Sequence, residues 1–243
     1  MRWSRWAGRS GWHLRFNLIG GRSNVQHVTE RLRPLWDFDD LDGSERRFND
    51  QILKETSDSG RAEVLTQLAR VQGLRGRFAE GDRLIDQAHA LSDGSAAVEA
   101  RIQLERGRLR NSGGDAGGAL PMFKAAFEIA DRAGEEFLAA DAAHMAAIAF
   151  PDREGKLEWT ERGIRIASTS SDRDVAYWLG PLYNNLGWEY QDAGEHEAAL
   201  EAFRRALAAR ERYPEMPALI QHAKEAVADA LRALGRDEEA SRL

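Results

Sequence analysis

From about residue 44 onward, apolar side chains return every three or four positions. Val64, Leu65, Leu68 and Val71 do so, then Phe123, Ala126, Phe127 and Ala130, and later Leu200, Phe203, Ala206 and Leu207. Steps of three and four gather side chains on one stripe of a helix. No stretch alternates with period two for long enough to predict a strand. The pattern therefore predicts an all-α chain.

Breakers divide the helical stretches. Ser57-Asp58-Ser59-Gly60, Leu74-Arg75-Gly76, Ser92-Asp93-Gly94-Ser95 and Ser112-Gly113-Gly114-Asp115 each read as a stop, a turn and a new start. Glycine ends a helix cheaply in the left-handed conformation, and Asp or Ser then caps the free N–H groups of the next one. Short loops between helices favour antiparallel neighbours, so the chain is predicted to be a string of helical hairpins.

The hairpins repeat. Tyr183, Leu186, Gly187 and Tyr190 are followed by a turn at Gly194 and then by Ala199, Phe203 and Ala206. Gly76, Gly81, Ile85 and Ala88 keep the spacing of Gly194, Ala199, Phe203 and Ala206, and Gly114, Ala119, Phe123 and Ala126 keep it again. The position of Ala199 is echoed at Gly81, Ala119, Lys156 and Ala240, and that of Gly187 at Ala69, Gly107 and Ala228. Two helices of a hairpin cross most closely where their side chains are smallest, and large apolar residues fill the gap to the next hairpin.

This arrangement resembles the tetratricopeptide repeat family, whose first helix carries an aromatic, Leu-Gly and Tyr, and whose second carries Ala, an aromatic and Ala. The resemblance covers roughly residues 60–243. It implies a right-handed α-solenoid of stacked antiparallel hairpins, about five of them, within residues 24–243. The family repeat is about 34 residues, and the intervals here are longer, which implies extended helices or loops between hairpins. Gln72 and Arg110 stand where the pattern prefers an aromatic, and Lys156, Thr160 and Gly163 match poorly, so the third unit is degenerate and its first helix, near 137–149, has an open register. Pro121 falls inside an expected helix, where it removes one hydrogen bond; that helix either starts late, near Gly118, or is kinked. Residues 44–56 read as the second helix of an atypical first unit.

Tetratricopeptide proteins bind polypeptide segments in a concave groove lined by the first helices. Carried over residue by residue, the resemblance implies groove residues Asn184, Asn185, Trp188 and Gln191 in the strongest unit. It adds Thr66, Arg70 and Gly73 from the first unit, Arg101, Leu104, Arg108 and Asn111 from the second, and Asp141, Met145 and Ile148 from the degenerate one. Glu225 and Asp229 would come from the last. Asn offers donor and acceptor to a main chain, Arg can fork onto a carboxylate, and Trp is frequent at binding hot spots. Each has a plainer reading. Asn185 belongs to the ordinary repeat pattern and could serve packing, Trp188 could be covered by the next unit, and the arginines could be solvated charges. Only fragments of a carboxylate clamp are present, so recognition of a chaperone's acidic tail is not expected.

Composition narrows the chemistry. The chain has 243 residues and no cysteine, which excludes disulfides, thiolate metal sites and a cysteine nucleophile. Residues 1–29 hold five arginines and no acid, so the other 214 residues carry 29 basic and 40 acidic side chains. An acidic body is a poor nucleic-acid binder, and no nucleic-acid partner is expected. The six histidines (His13, His27, His89, His144, His196 and His222) are widely separated, and no metal or other cofactor is expected. Asp141 and His144 share a helix face, which reads as a local contact. Phosphate-loop, nucleophile-elbow and HExxH patterns are missing, so the expectation is a binding protein, not an enzyme.

The start of the chain, with Trp3, Trp6 and Trp12 among arginines, lacks the apolar core of a signal peptide. Residues 1–23 read as a flexible basic tail, as translated upstream sequence, or as a segment touching a membrane surface or nucleic acid. No run of about 18 apolar residues indicates a membrane span, and a cytoplasmic, bacterial protein is expected. The leading function is a module that binds a partner polypeptide. The alternatives are a peptide-sensing regulator and a self-assembling scaffold, including a homodimer through the C-terminal helix.

Overall fold

A computed structural model describes residues 30–243, and the expected basic tail at residues 1–23 lies outside them. Several helices begin at a side-chain cap. In α1 (Leu41–Ile52), α2 (Asp58–Leu74), α5 (Ala116–Ala133) and α7 (Arg153–Thr169), the preceding Asp40, Ser57, Asp115 or Asp152 accepts a hydrogen bond from a glycine N–H in the first turn. Such caps satisfy donors that the helix cannot. The other long helices are α3 (Phe78–Leu91), α4 (Ala96–Ser112), α6 (Glu136–Ala149), α9 (Leu179–Asp192), α10 (His196–Glu211) and α11 (Pro217–Ala233), with short α8 (Arg173–Ala176) and α12 (Asp237–Ala240).

The repeat is visible in the backbone. Arg77, Asp115, Glu195 and Arg236 each donate to a carbonyl five residues back, on Gln72, Arg110, Tyr190 and Leu231, all at 2.9 Å. Gly76, Gly114, Gly194 and Gly235 precede these donors with φ between 71° and 92°. That is the helix-stop turn in which a left-handed residue closes the last carbonyls. It stands four times at the bend of a hairpin: α2–α3, α4–α5, α9–α10 and α11–α12. The hairpin α6–α7 bends at Pro151-Asp152 instead, in keeping with its degenerate sequence.

Packing follows the small residues. A methyl on Gly107 would lie 2.6 Å from the Phe123 ring, and one on Gly187 2.4 Å from the Phe203 ring. Phe48, Phe123 and Phe203 are among the largest fully buried side chains. Helix α2 packs on α4, α4 on α6, and α7 on α9, so the hairpins stack into a helical-repeat solenoid. Between the third and fourth hairpins α8 sits against α6 and α7, and Trp178 beside it packs on Phe137 and His144 with ring centroids 5.7 and 5.3 Å away. This insertion accounts for the long interval before Ala199.

The expected late start near Gly118 is not found. Helix α5 begins at Ala116 and carries Pro121 in its second turn. The first four N–H groups of a helix have no partner within it, so Pro121, sixth in the helix, costs it one hydrogen bond. Ahead of α1, Glu30–Phe38 forms a strap with one 3₁₀ turn at Arg33–Leu35. Its Leu32 and Trp36 belong to the core of the first unit. Among the described residues no helix is long and apolar enough to cross a membrane.

Candidate functional site: the inner wall of the solenoid

The first helices α2, α4 and α6 present a ladder of charges to one another. The Arg101 guanidinium lies 2.6 Å from Glu30 of the strap and 3.5 Å from Glu63 of α2. Arg108 holds Glu105 at 2.5 Å and also pairs with Asp141 of α6. Arg70 stands 4.0 Å from Glu105 and covers the Trp36 and Phe38 rings at 5.4 and 5.5 Å. Burial pulls the Arg101 and Arg108 pKa values down, but their carboxylate partners outweigh it and both end up raised. Arg70 ends up lowered, by burial and by the nearby charge of Arg108. These arginines are spoken for within the chain.

The strap covers the ladder. Trp36 donates its indole N–H to Gln67 at 2.9 Å, stands edge-on to Phe48 and stacks on Phe38. Arg33 crosses to α8, pairing with Asp174 at 2.5 Å and lying 4.1 Å over the Tyr177 ring. Arg210 of α10 approaches the same tyrosine, 4.8 Å from its centroid. It is buried, and among the described residues it has no carboxylate partner. Arg210 Nη1, Trp178 Nε1, His144 Nδ1 and Asn111 Oδ1 are all buried without a hydrogen bond among the described residues. Such orphans are uncommon, and here they sit on the first helices, on α10 and beside α8.

The resemblance implies that Arg101, Arg108, Asn111 and Asp141 line an open groove. The structure buries Arg101, Asn111 and Asp141 and leaves Arg108 half-buried, and Arg101, Arg108 and Asp141 take part in the charge ladder. Thr66 and Leu104 are buried too, and Met145 packs against the core of the third unit. In the fourth hairpin Asn184 and Asn185 are half-buried on α9 and make no hydrogen bond among the described residues. Trp188 is half-buried and packs edge-on to Phe203 at 5.1 Å. Gln191 lies 3.2 Å from His196. Glu225 is exposed and Asp229 pairs with Arg232. What sequence reasoning misses is the strap, whose signal is a short apolar cluster, Leu32, Leu35, Trp36 and Phe38, placed around Pro34.

Residues 180–213 match the family model of the tetratricopeptide repeat. The chain carries a tetratricopeptide repeat. Among solved structures it is similar to BtubC (BKLC) from P. vanneervenii, at 18% identity over 89% of this chain and 88% of that one, TM-score 0.59. It is similar to nearly identical TPR-like repeats from Podosopora anserina, at 19% identity over 77% and 93%, TM-score 0.58. A signal-transduction ATPase with numerous domains and a tetratricopeptide repeat sensor, from Pyrococcus horikoshii, matches at 11% identity over 83% of this chain and 32% of that one, TM-score 0.63. At these identities the likeness is one of fold. No curated protein matches the chain.

Proposed function

We propose that this repeat chain is a protein–protein interaction module whose partner polypeptide lies along α9 of the fourth hairpin. The observation that carries the reading is the pair Asn184 and Asn185, whose carboxamides are half-buried and unengaged. A carboxamide that the fold does not use offers a donor and an acceptor to a peptide main chain. Trp188 adds a flat apolar surface one turn on, and Gln191 a further amide. Arg210, buried without a carboxylate, supports a partner that brings an acidic group near this wall.

Affinity capture on the purified chain tests it, with the Asn184→Ala/Asn185→Ala variant as comparison. The expected result is a captured polypeptide whose binding is lost in the variant while the helical circular dichroism stays the same. Equal capture by both forms would remove α9 as the binding face.

A sensing role is the second reading. Arg33 and Asp174 stand 141 positions apart, so their contact ties the start of the chain to the insertion before the fourth hairpin. Occupancy of the wall would then be felt along the solenoid. The repeat sensor of the Pyrococcus horikoshii ATPase is of similar fold. Self-association through α12 has less support, because Ala240 there is buried against the α10–α11 core; light scattering that gives a strict monomer would remove it.

A further inference from the structure

We propose that the strap residues Glu30–Arg33 are a built-in competitor for the inner wall of the first three hairpins. The partner of that wall is a polypeptide turn that presents the same pattern: an acid for Arg101, an apolar side chain in the place of Leu32, and a cation for Asp174 and Tyr177. This rests on the reading of the chain as a polypeptide-binding solenoid, but it concerns a different part of the wall from α9.

The strap meets the wall as a ligand would. Between Glu30 and Pro34 its backbone hydrogen bonds are its own: Arg33 N–H to the Glu30 carbonyl, Leu35 N–H to the Leu32 carbonyl, and Leu32 N–H to the Glu30 carboxylate. Its contacts to the repeats run through side chains. Glu30 reaches Arg101 on α4, Arg31 reaches Glu55 and the Gly60 carbonyl, and Arg33 reaches Asp174 on α8. Lifting this stretch would break no main-chain ladder. It would uncover Arg101 and Asp174, two opposite charges on different elements, matched by strap residues three positions apart. The Arg33 N–H to Glu30 carbonyl bond closes this stretch into a turn whose ends lie within about 7 Å of one another, and that turn sets the spacing a partner must reproduce.

The two ends differ in hold. Trp36 is locked by Gln67, Phe48 and Phe38 and by the guanidinium of Arg70. The Arg33–Asp174 pair is partly open to water, with side chains 20% and 31% exposed, and exposed ion pairs hold weakly. Displacement therefore starts at Arg33 and pivots on Pro34, leaving Trp36 in place. Because the strap is tethered, its effective concentration at the wall is high, and a partner in trans must outcompete it.

The test uses the full chain and a fluorescent synthetic peptide of residues 30–35 in a polarisation titration. Wild type is expected to bind it weakly. The Glu30→Ala/Arg33→Ala variant is expected to bind at least about tenfold more tightly, since the tethered competitor is gone. Adding Arg101→Gln to that variant should abolish the gain. Equal binding by wild type and variant, or a gain that survives Arg101→Gln, overturns the proposal. Loss of helical circular dichroism in the double variant also overturns it, because the strap is then a fixed part of the fold. A dimer of the wild type that dissociates on adding peptide would mean that straps are exchanged between copies, which overturns the partner. Failure here with capture on α9 intact leaves the reading of the fourth hairpin standing.

Discussion

The Glu30 carboxylate meets the Arg101 guanidinium at 2.6 Å across 71 positions of sequence, and the two side chains are only 5% and 7% exposed. Glu63, at 3.5 Å, is the other carboxylate within reach of Arg101 among the described residues. A buried pair contributes little net, because both charges have left water, but removing one partner strands the other.

Glu30→Ala is therefore expected to lower stability by about 3 kcal/mol, less whatever Glu63 compensates. Urea unfolding followed by circular dichroism measures it. Glu30→Ala/Arg101→Met should recover most of the loss, since it removes the stranded charge as well. A double variant as unstable as the single one would show that the cost lies in the strap's packing and not in the charge.

Gly187 faces the Phe203 ring so closely that even a methyl would collide, and the same holds for Gly107 and Phe123. Gly187→Leu overpacks the crossing of α9 and α10 and is expected to cost about 1–3 kcal/mol. Differential scanning calorimetry would show a lower midpoint. An unchanged midpoint would contradict the helix crossing described for this hairpin.

Much of this crossing is legible in the amino-acid sequence. The small residues at Gly187 and Gly107 follow from spacing, because close helix crossings demand small residues at fixed intervals, but spacing does not tell that each faces a phenylalanine of its own hairpin, Phe203 or Phe123. Gly76, Gly114, Gly194 and Gly235 mark the same turn. The degenerate third hairpin is also legible, as the place where Lys156 and Thr160 break the pattern. The strap and α8 are not, because both are too short for a period to show. Arg33 with Asp174 and Glu30 with Arg101 are contacts of long sequence separation, and no local rule pairs them. That is why Arg101, Arg108 and Asp141 read as open groove residues. The resemblance assigns them to the first helices of their units, and they lie on α4 and α6, but it does not tell what lies across from them.

His144 carries the pH dependence. It is buried on α6 against Trp178. Burial lowers its pKa to about 4; Asp141 opposes the shift, while Arg108, Arg210 and Arg70 reinforce it. The unfolded chain titrates near 6.5. Between those values the unfolded chain takes up a proton that the folded chain refuses, so stability is full above about pH 6.5 and falls toward pH 4. The loss from this group is of order 3 kcal/mol. His144→Phe keeps a ring against Trp178 and cannot titrate. The stability difference between wild type and variant should be flat above about pH 7 and shift by that amount, against wild type, between about pH 6.5 and 4. A difference that does not change with pH would mean that His144 takes up its proton in the folded chain as readily as in the unfolded one.

Arg210 tests whether the inner wall gives up stability for binding. Its guanidinium is buried, leans on Tyr177 and lies against Gly180, and among the described residues no carboxylate neutralises it. Residues 1–29 contain no acid that could do so either. Replacing an uncompensated buried charge by an apolar side chain of similar length removes its desolvation cost, while the loss of the ring contact takes back part of the gain. Arg210→Met is thus expected to raise stability by about 1 kcal/mol in urea unfolding. The same variant should weaken capture of an acidic partner, because the charge it removes is the one the fold leaves unsatisfied. A variant that is destabilised, with capture unchanged, would make Arg210 a structural residue held by Tyr177 alone. A variant that is more stable but binds less would identify the buried guanidinium as a residue kept for its partner at the expense of the fold.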